Sequence, residues 1–317
     1  MLKAIALALA VVAAIPAAAQ EFPGSQPIRL VVPFNPGGMT DLIARTLAEY
    51  LQKRMNHTIL VENRAGAGTA IGTDLVAKAK PDGHTLLIAA NDLTVLPAVR
   101  RSVPYNIEEL TYVSQLFVGR PMIVSGPNSG INSIQDLVEK VKAEPGKVKN
   151  GTNGVGSLNH LGALKFDTVV GGKASHIPYG GQGPSSTDAL SGTLDIVNGV
   201  SVPILDGLKV LAPVGAERHP AFPDLPTLGE LGYKDAEWNS WFGVIAPPKV
   251  PQEIVDKLNE NITAVLQDPE FRDKITKATA GLPPVSEPVT GEVFYKLAME
   301  EYEGWKKIAE AEGIVVE

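Results

Sequence analysis

Apolar residues recur along this chain in two alternating rhythms. Short β-branched runs, such as Ile28-Arg29-Leu30-Val31-Val32, alternate with stretches whose apolar residues share one helical face, as Leu42, Ile43, Leu47 and Leu51 do. Over 28–90 the order is strand, helix, strand, helix, strand, at 28–32, 40–54, 59–62, 69–78 and 85–89. The turn Pro81-Asp82-Gly83 separates the last helix from the last strand. Such alternation through short loops predicts a parallel sheet with helices on both faces.

A second alternation follows, with helices at 133–142, 159–169 and 184–190 and strands at 147–150, 175–179, 194–197 and 208–214. Between the two, the apolar segment 112–125, broken by Gly119 and Pro121, carries the chain from one lobe into another. The proline-rich passage 220–227 can be neither regular helix nor central strand, and it leads back. A strand at 240–246 and helices at 252–266, 270–278 and 291–311 complete the pattern. A chain that leaves one lobe, builds a second and returns predicts an α/β fold with two crossing strands and a central, hinge-bending cleft. Lobe 1 is expected from residues 21–111 plus 227–317, and lobe 2 from 112–226.

Two glycine-rich turns stand out against this frame, Pro33-Phe34-Asn35-Pro36-Gly37-Gly38-Met39-Thr40-Asp41 and Gly151-Thr152-Asn153-Gly154-Val155-Gly156-Ser157-Leu158-Asn159-His160. Each follows a strand-like run and opens a helix, so unpaired backbone N–H groups point out of it and attract anions. Gly37 and Gly38 allow positive φ and a close approach of backbone to ligand, and Thr40 or Ser157 can cap a helix or donate a hydroxyl. From the residues alone, a well-capped βα loop and a ligand site fit equally well.

The first residues read as a secretory signal: Lys3, an apolar run over 4–15, Pro16, then Ala17 and Ala19 of an A-x-A cleavage site, so the mature chain is expected to start at Gln20 or Glu21 in the periplasm. A membrane span needs about 20 apolar residues and this run is shorter. The 317-residue chain has no cysteine, hence neither a disulfide nor a lipidation site. Removing the signal takes the formal charge from −7 to −8, which argues against nucleic acid or an anionic membrane as partner. Any anion site must therefore draw its positive potential locally. No metal-ligand spacing joins the five histidines, and no cofactor is expected; the glycines of 66–72 depart from the dinucleotide-binding spacing and are read as helix–sheet packing.

Six strings occur in one order: Pro33–Asp41 as above, Val61-Glu62-Asn63-Arg64-Ala65-Gly66-Ala67-Gly68, Pro81-Asp82-Gly83-His84-Thr85-Leu86-Leu87, His176-Ile177-Pro178-Tyr179-Gly180-Gly181, Phe222-Pro223-Asp224-Leu225-Pro226-Thr227 and Ser240-Trp241-Phe242-Gly243. Together they closely resemble the Bug family, the extracytoplasmic substrate-binding proteins of tripartite tricarboxylate transporters. The resemblance implies a two-lobed periplasmic-binding-protein (Venus flytrap) fold, a monomer that delivers a small carboxylate to membrane permease subunits and performs no chemistry. It matches Phe34, Asn35, Gly37, Gly38, Met39, Thr40 and Asp41 to the family's first ligand loop, and Asn153, Gly156, Ser157, Asn159 and His160 to the second. Asn91, Tyr179, Gly180 and Gly199 complete the candidate site.

The chain departs from the family where many relatives carry Lys after Tyr179 and an Asp after the strand 194–197; here stand Gly180 and Asn198-Gly199-Val200-Ser201. Without that Asp an ammonium on the ligand loses its partner, which tilts the expectation toward a plain mono- or dicarboxylate. The segment 203–211 is also shorter than usual. The rival expectation is an exported serine hydrolase using Ser157 and His160; it lacks the G-x-S-x-G elbow.

Overall fold

Strands β1 (Ile28–Val32), β2 (Ile59–Asn63) and β3 (Thr85–Ala90) lie parallel, with β1 in the middle. In this computed structural model, which describes residues 22–179, 182–200, 206–279, 283–287 and 289–316, the predicted signal and Gly180 fall outside the described residues. The sheet continues through β10 (Ser240–Ala246), antiparallel to β3, and ends at β4 (Thr111–Gly119), antiparallel to β10. Helix α1 (Met39–Met55) lays Ile43, Ala44, Leu47 and Leu51 against Leu30, Val32, Leu86 and Ile88, all buried. Such a face supplies roughly 1.5–3 kcal/mol per fully buried large side chain, before entropy is charged against it. Helix α2 (Ala70–Ala77) covers the other face, where Val76 packs with Val31, Leu87 and Ala89.

The second sheet has β6 (Lys149–Thr152) between β7 (Ser175–Pro178) and β8 (Ile196–Val200), all parallel. Beyond β8 lie β5 (Met122–Ser125) and β9 (Lys209–Pro213), joined antiparallel. Helices α4 (Ile134–Ala143) and α5 (Leu158–Val170) bury one face and α6 (Gln182–Ser191) the other. The two sheets make a two-lobed α/β molecule, each sheet mixed rather than wholly parallel.

The expected 112–125 segment divides at Arg120-Pro121: β4 stays in the first sheet and β5 enters the second. The chain crosses back after β9, and at the crossing Ser240 pairs with Gly119, where any side chain would collide with the Ser240 hydroxyl. Helix α3 (Asp92–Val99), absent from the sequence expectation because Pro97 interrupts it, reaches from the end of β3 toward the second lobe. Helices α7 (Gln252–Gln267) and α8 (Pro269–Ala278) return to the first core, while α9 (Gly291–Ala311) starts there with Phe294 and Ala298 and ends with Trp305 and Ala309 in the second core. Leu228, Ala236 and Trp238 also join the second core. The sequence expectation placed 112 onward in lobe 2 and all of 227–317 in lobe 1; packing divides the chain differently at both places. Among the described residues no helix is long and apolar enough to cross a membrane.

Candidate functional site

Both glycine-rich turns sit at the carboxyl ends of central parallel strands, β1 in one lobe and β6 in the other, where the strands release the chain into helices. At the first, Gly37 has φ +88, which needs glycine, whereas Gly38 has φ −83 and ψ 175, extended backbone open to any residue. The expectation of positive φ thus holds for Gly37 and is corrected for Gly38. No side chain caps α1 at Gly38, and the amides of Gly38, Met39, Thr40 and Asp41 have no acceptor among the described residues. Asn35, Gly37 and Gly38 are exposed, Phe34 and Met39 half-buried against the core, and Thr40 buried. Four free amides on a helix end can accept an anion without any cationic side chain.

The Asp41 side chain is placed otherwise than a ligand contact. It is 4% exposed; one carboxylate oxygen accepts from the Gly37 amide (2.9 Å) and Arg45 Nε (3.0 Å), the other from Asn63 Nδ2 (2.9 Å). Burial pushes its pKa up, but the Arg45, Gly37 and Asn63 donors outweigh that and hold it at about 2. Asn63 also donates to the Phe34 carbonyl (3.2 Å), so Asp41 and Asn63 fix the loop from below. Asn63 is not among the candidate site residues of the sequence analysis. Its signal was position, one strand over from the loop it braces.

The second turn is more self-contained. Ser157 caps α5, its hydroxyl accepting from the His160 amide (3.2 Å), and the Gly156 amide donates to His160 Nδ1 (3.1 Å). His160 Nδ1 is therefore an acceptor, the ring proton sits on Nε2, and the ring stacks edge-on at 5.4 Å from His176, itself bonded to Asp167 (2.9 Å). Burial, helped by His176, lowers the His160 pKa to about 4. This arrangement removes the hydrolase expectation: the lone pair that would take the Ser157 proton is occupied by a backbone amide, and the Ser157 oxygen is a cap.

Asn159 reaches across to the carbonyls of Asn198 and Gly199 (3.0 Å each) and accepts from Asn153 (3.2 Å). Gly199, φ +81, has no room for a side chain beside Asn159. The pair ties the turn to β8 rather than offering free groups. Unpartnered and buried nearby are Asn153 Oδ1, Thr152 Oγ1 and Asn198 Oδ1. Tyr179 spends its hydroxyl on Asp188 (2.6 Å).

Asn91 is likewise committed. It is 2% exposed, donates to Glu301 and the Asn239 carbonyl (3.3 Å), and accepts from the Trp241 amide (2.7 Å). Its expected place in the site is corrected to a brace between α3, α9 and the returning strand. Glu301 in turn accepts from Thr94 Oγ1 (2.9 Å) and Trp241 Nε1 (2.6 Å); burial raises its pKa against these donors. Gly156, φ +75, brings the two lobes together: a side chain there would meet Val316 and Val99.

Among known families, the model of the tripartite tricarboxylate transporter family receptor matches residues 43–314. The chain belongs to that receptor family. BugT of Bordetella pertussis is 38% identical over 262 residues, 80% of either chain. Of solved structures, an adipate-bound protein of R. palustris superposes with TM-score 0.78 at 28% identity, covering 93% of this chain and 99% of its own. MatC of Rhodopseudomonas palustris, with bound malate, gives 0.73 at 25%, covering 90% and 99%. Members of the receptor family are solute-binding proteins and not enzymes.

Two buried histidines of this receptor weaken it in acid, against an opposing contribution from Asp92, whose burial raises its pKa to about 6. His160 and His219 both have pKa values lowered to about 4, each chiefly by burial. The unfolded chain takes up these protons near pH 6.5 and the folded one only near 4, so stability is lost as pH falls through that window. Urea unfolding should show a level midpoint from pH 8 to 6.5 and a decline below it. His160→Gln should flatten the decline; an unchanged slope in that variant would place the lost stability elsewhere.

Proposed function

We propose that this receptor is a monomeric periplasmic binding protein that captures a small mono- or dicarboxylate in the cleft between its lobes and delivers it to the permease subunits of a tripartite tricarboxylate transporter. The observation that carries this reading is the mouth of α1, where four amides lack acceptors and no side chain caps the helix. The lobes are the two sheets with their helices, hinged at 119–122 and 213–240. The ligand carboxylate sits at the α1 mouth, and the α5 turn closes over it from the second lobe. Closure tells the transporter loaded from empty protein only if the ligand binds the closed state more tightly. The adipate and malate held by the two structural relatives fit this ligand class.

A thermal-shift screen of short carboxylates tests the reading. A ligand at roughly a hundred times its dissociation constant adds about 2.7 kcal/mol of stability. Native mass spectrometry of gently purified protein should show a co-purifying acid and a chain starting at Gln20 or Glu21. No stabilisation by any carboxylate would end this proposal.

A further inference from the structure

Arg100 immediately follows α3 and is half-buried, yet its Nε is buried with no hydrogen-bond partner and the side chain makes no ion pair. The other described arginines each donate to a carboxylate or carbonyl oxygen, apart from the exposed Arg101. Holding a guanidinium partly out of water without an anion costs stability. The fold gives no return for it.

Beside Arg100 lies a strained turn. Gly66, Ala67, Gly68 and Thr69 have φ of 136, 48, 63 and 85, four positive values in succession. For β-branched Thr69 that is an outlier, of a kind that persists where the surroundings impose it. Thr69 is 5% exposed and its hydroxyl, like Arg100 Nε, is buried without a partner. The amides of Ala67 and Gly68 have no acceptor among the described residues either. Turns that present successive free amides form anion-binding concavities.

The position of this cluster relates it to the cleft. Arg100 Nη2 comes within 3.7 Å of where a side chain would start on Gly68. Gly72, just beyond the turn, packs on Pro33 at the start of the first ligand loop, where a Cβ would stand 2.9 Å from the proline. Val99, the neighbour of Arg100, abuts Gly156 of the second turn. Arg100 thus borders a turn whose following residue packs on the first ligand loop, and adjoins Val99, which packs on the second. The nearby carboxyl of Asp92, which with Arg100 flanks Tyr105, forms no ion pair with it.

We propose that Arg100, the Thr69 hydroxyl and the free amides of the 66–69 turn form a second anion subsite, which takes the far carboxylate of a dicarboxylate whose near carboxylate lies at the mouth of α1. The subsite rests on the carboxylate-capture reading above and narrows it from mono- or dicarboxylates to dicarboxylates. It also supplies a cation to a chain that lacks the Lys many relatives carry after Tyr179.

Calorimetry on the full chain with adipate and malate, beside hexanoate and lactate as their monocarboxylate counterparts, tests it. Wild type should bind at least one dicarboxylate tenfold or more tightly than its counterpart. Arg100→Gln should erase that preference, with a loss of roughly 10- to 100-fold in dicarboxylate affinity, about the range for one charge-assisted hydrogen-bonded pair. Arg100→Lys should restore part of it. Thr69→Val, missing only the hydroxyl, should give a loss of about threefold to tenfold for the dicarboxylate, and serves if Arg100→Gln fails to fold.

Equal losses for both members of a pair, or a wild type that binds hexanoate as tightly as adipate and lactate as tightly as malate, would overturn the subsite. If wild type binds none of the four acids, sulfate-dependent melting of wild type and Arg100→Gln decides the subsite, while the wider carboxylate screen decides the capture reading. Stabilisation by sulfate that needs Arg100 keeps it; equal stabilisation of both proteins rejects it.

Discussion

Gly38→Glu will abolish carboxylate binding and leave the protein folded. A side chain at Gly38 meets only the Asn35 carbonyl, at 3.9 Å, and the residue has ordinary extended backbone, so the substitution introduces neither clash nor strain. A carboxylate at the start of α1 favours the helix end, so melting temperature should hold or rise slightly. The same carboxylate occupies the position proposed for the ligand. Two like charges about 4 Å apart repel by roughly 4 kcal/mol at an effective dielectric constant of about 20, or about a thousandfold in affinity. Calorimetry against the best acid from the screen checks this. Gly38→Ala, which adds bulk without charge, should retain most of the affinity; if it loses as much as Gly38→Glu, shape rather than charge governs the α1 mouth.

Glu301→Ala should be among the most destabilising single changes in the chain. It strips the acceptor from Asn91, Thr94 and Trp241 at once, in a place closed to water. Breaking such a buried network costs on the order of 3–5 kcal/mol, which for a chain of this size lowers the melting temperature by roughly 5–8 °C. Glu301→Gln should recover only part, since its amide nitrogen would point donor against donor. Calorimetric melting of the two variants checks the ranking. Equal stability of wild type and Glu301→Ala would show that the carboxylate's burial cost cancels what its hydrogen bonds return.

Much of the fold was legible because periodicity and turn chemistry agreed. The helix expected at 291–311 is α9 residue for residue, and the strands at 28–32 and 240–246 carry their own boundaries in runs of β-branched and aromatic residues flanked by Pro and Asn. The strand expected at 147–150 appears two residues later, at Lys149–Thr152, because its pairing with β7 and β8 overrides the weak local preference of Gly151 and Asn150. Helix α3 was hidden by Pro97, tolerated because α9 packs along it. In the candidate site the two loops were visible as glycine patterns, but the division of labour was not. Whether Asp41, Asn91 and Asn159 face a ligand or brace the backbone depends on partners 22 to 210 residues away in sequence. Local spacing carries no record of such partners. Arg100 was passed over for the same reason, since an arginine without a counter-ion looks like any other until its neighbours are known.

The placement of β10 and the end of α9 bears on how the chain can be made. β10 fills the gap between β3 and β4 in the first sheet, and Trp305, Ala309 and Val316 complete the apolar interior of the second. On a growing chain, then, the first sheet lacks an inner strand until residue 246 has emerged, and the second lacks part of its interior until the last few residues are free. The second half therefore cannot finish before the first half's last elements have been made. Synthesis and folding are thereby set in sequence, with a nascent chain that stays open to a chaperone or a translocation channel for nearly its whole length.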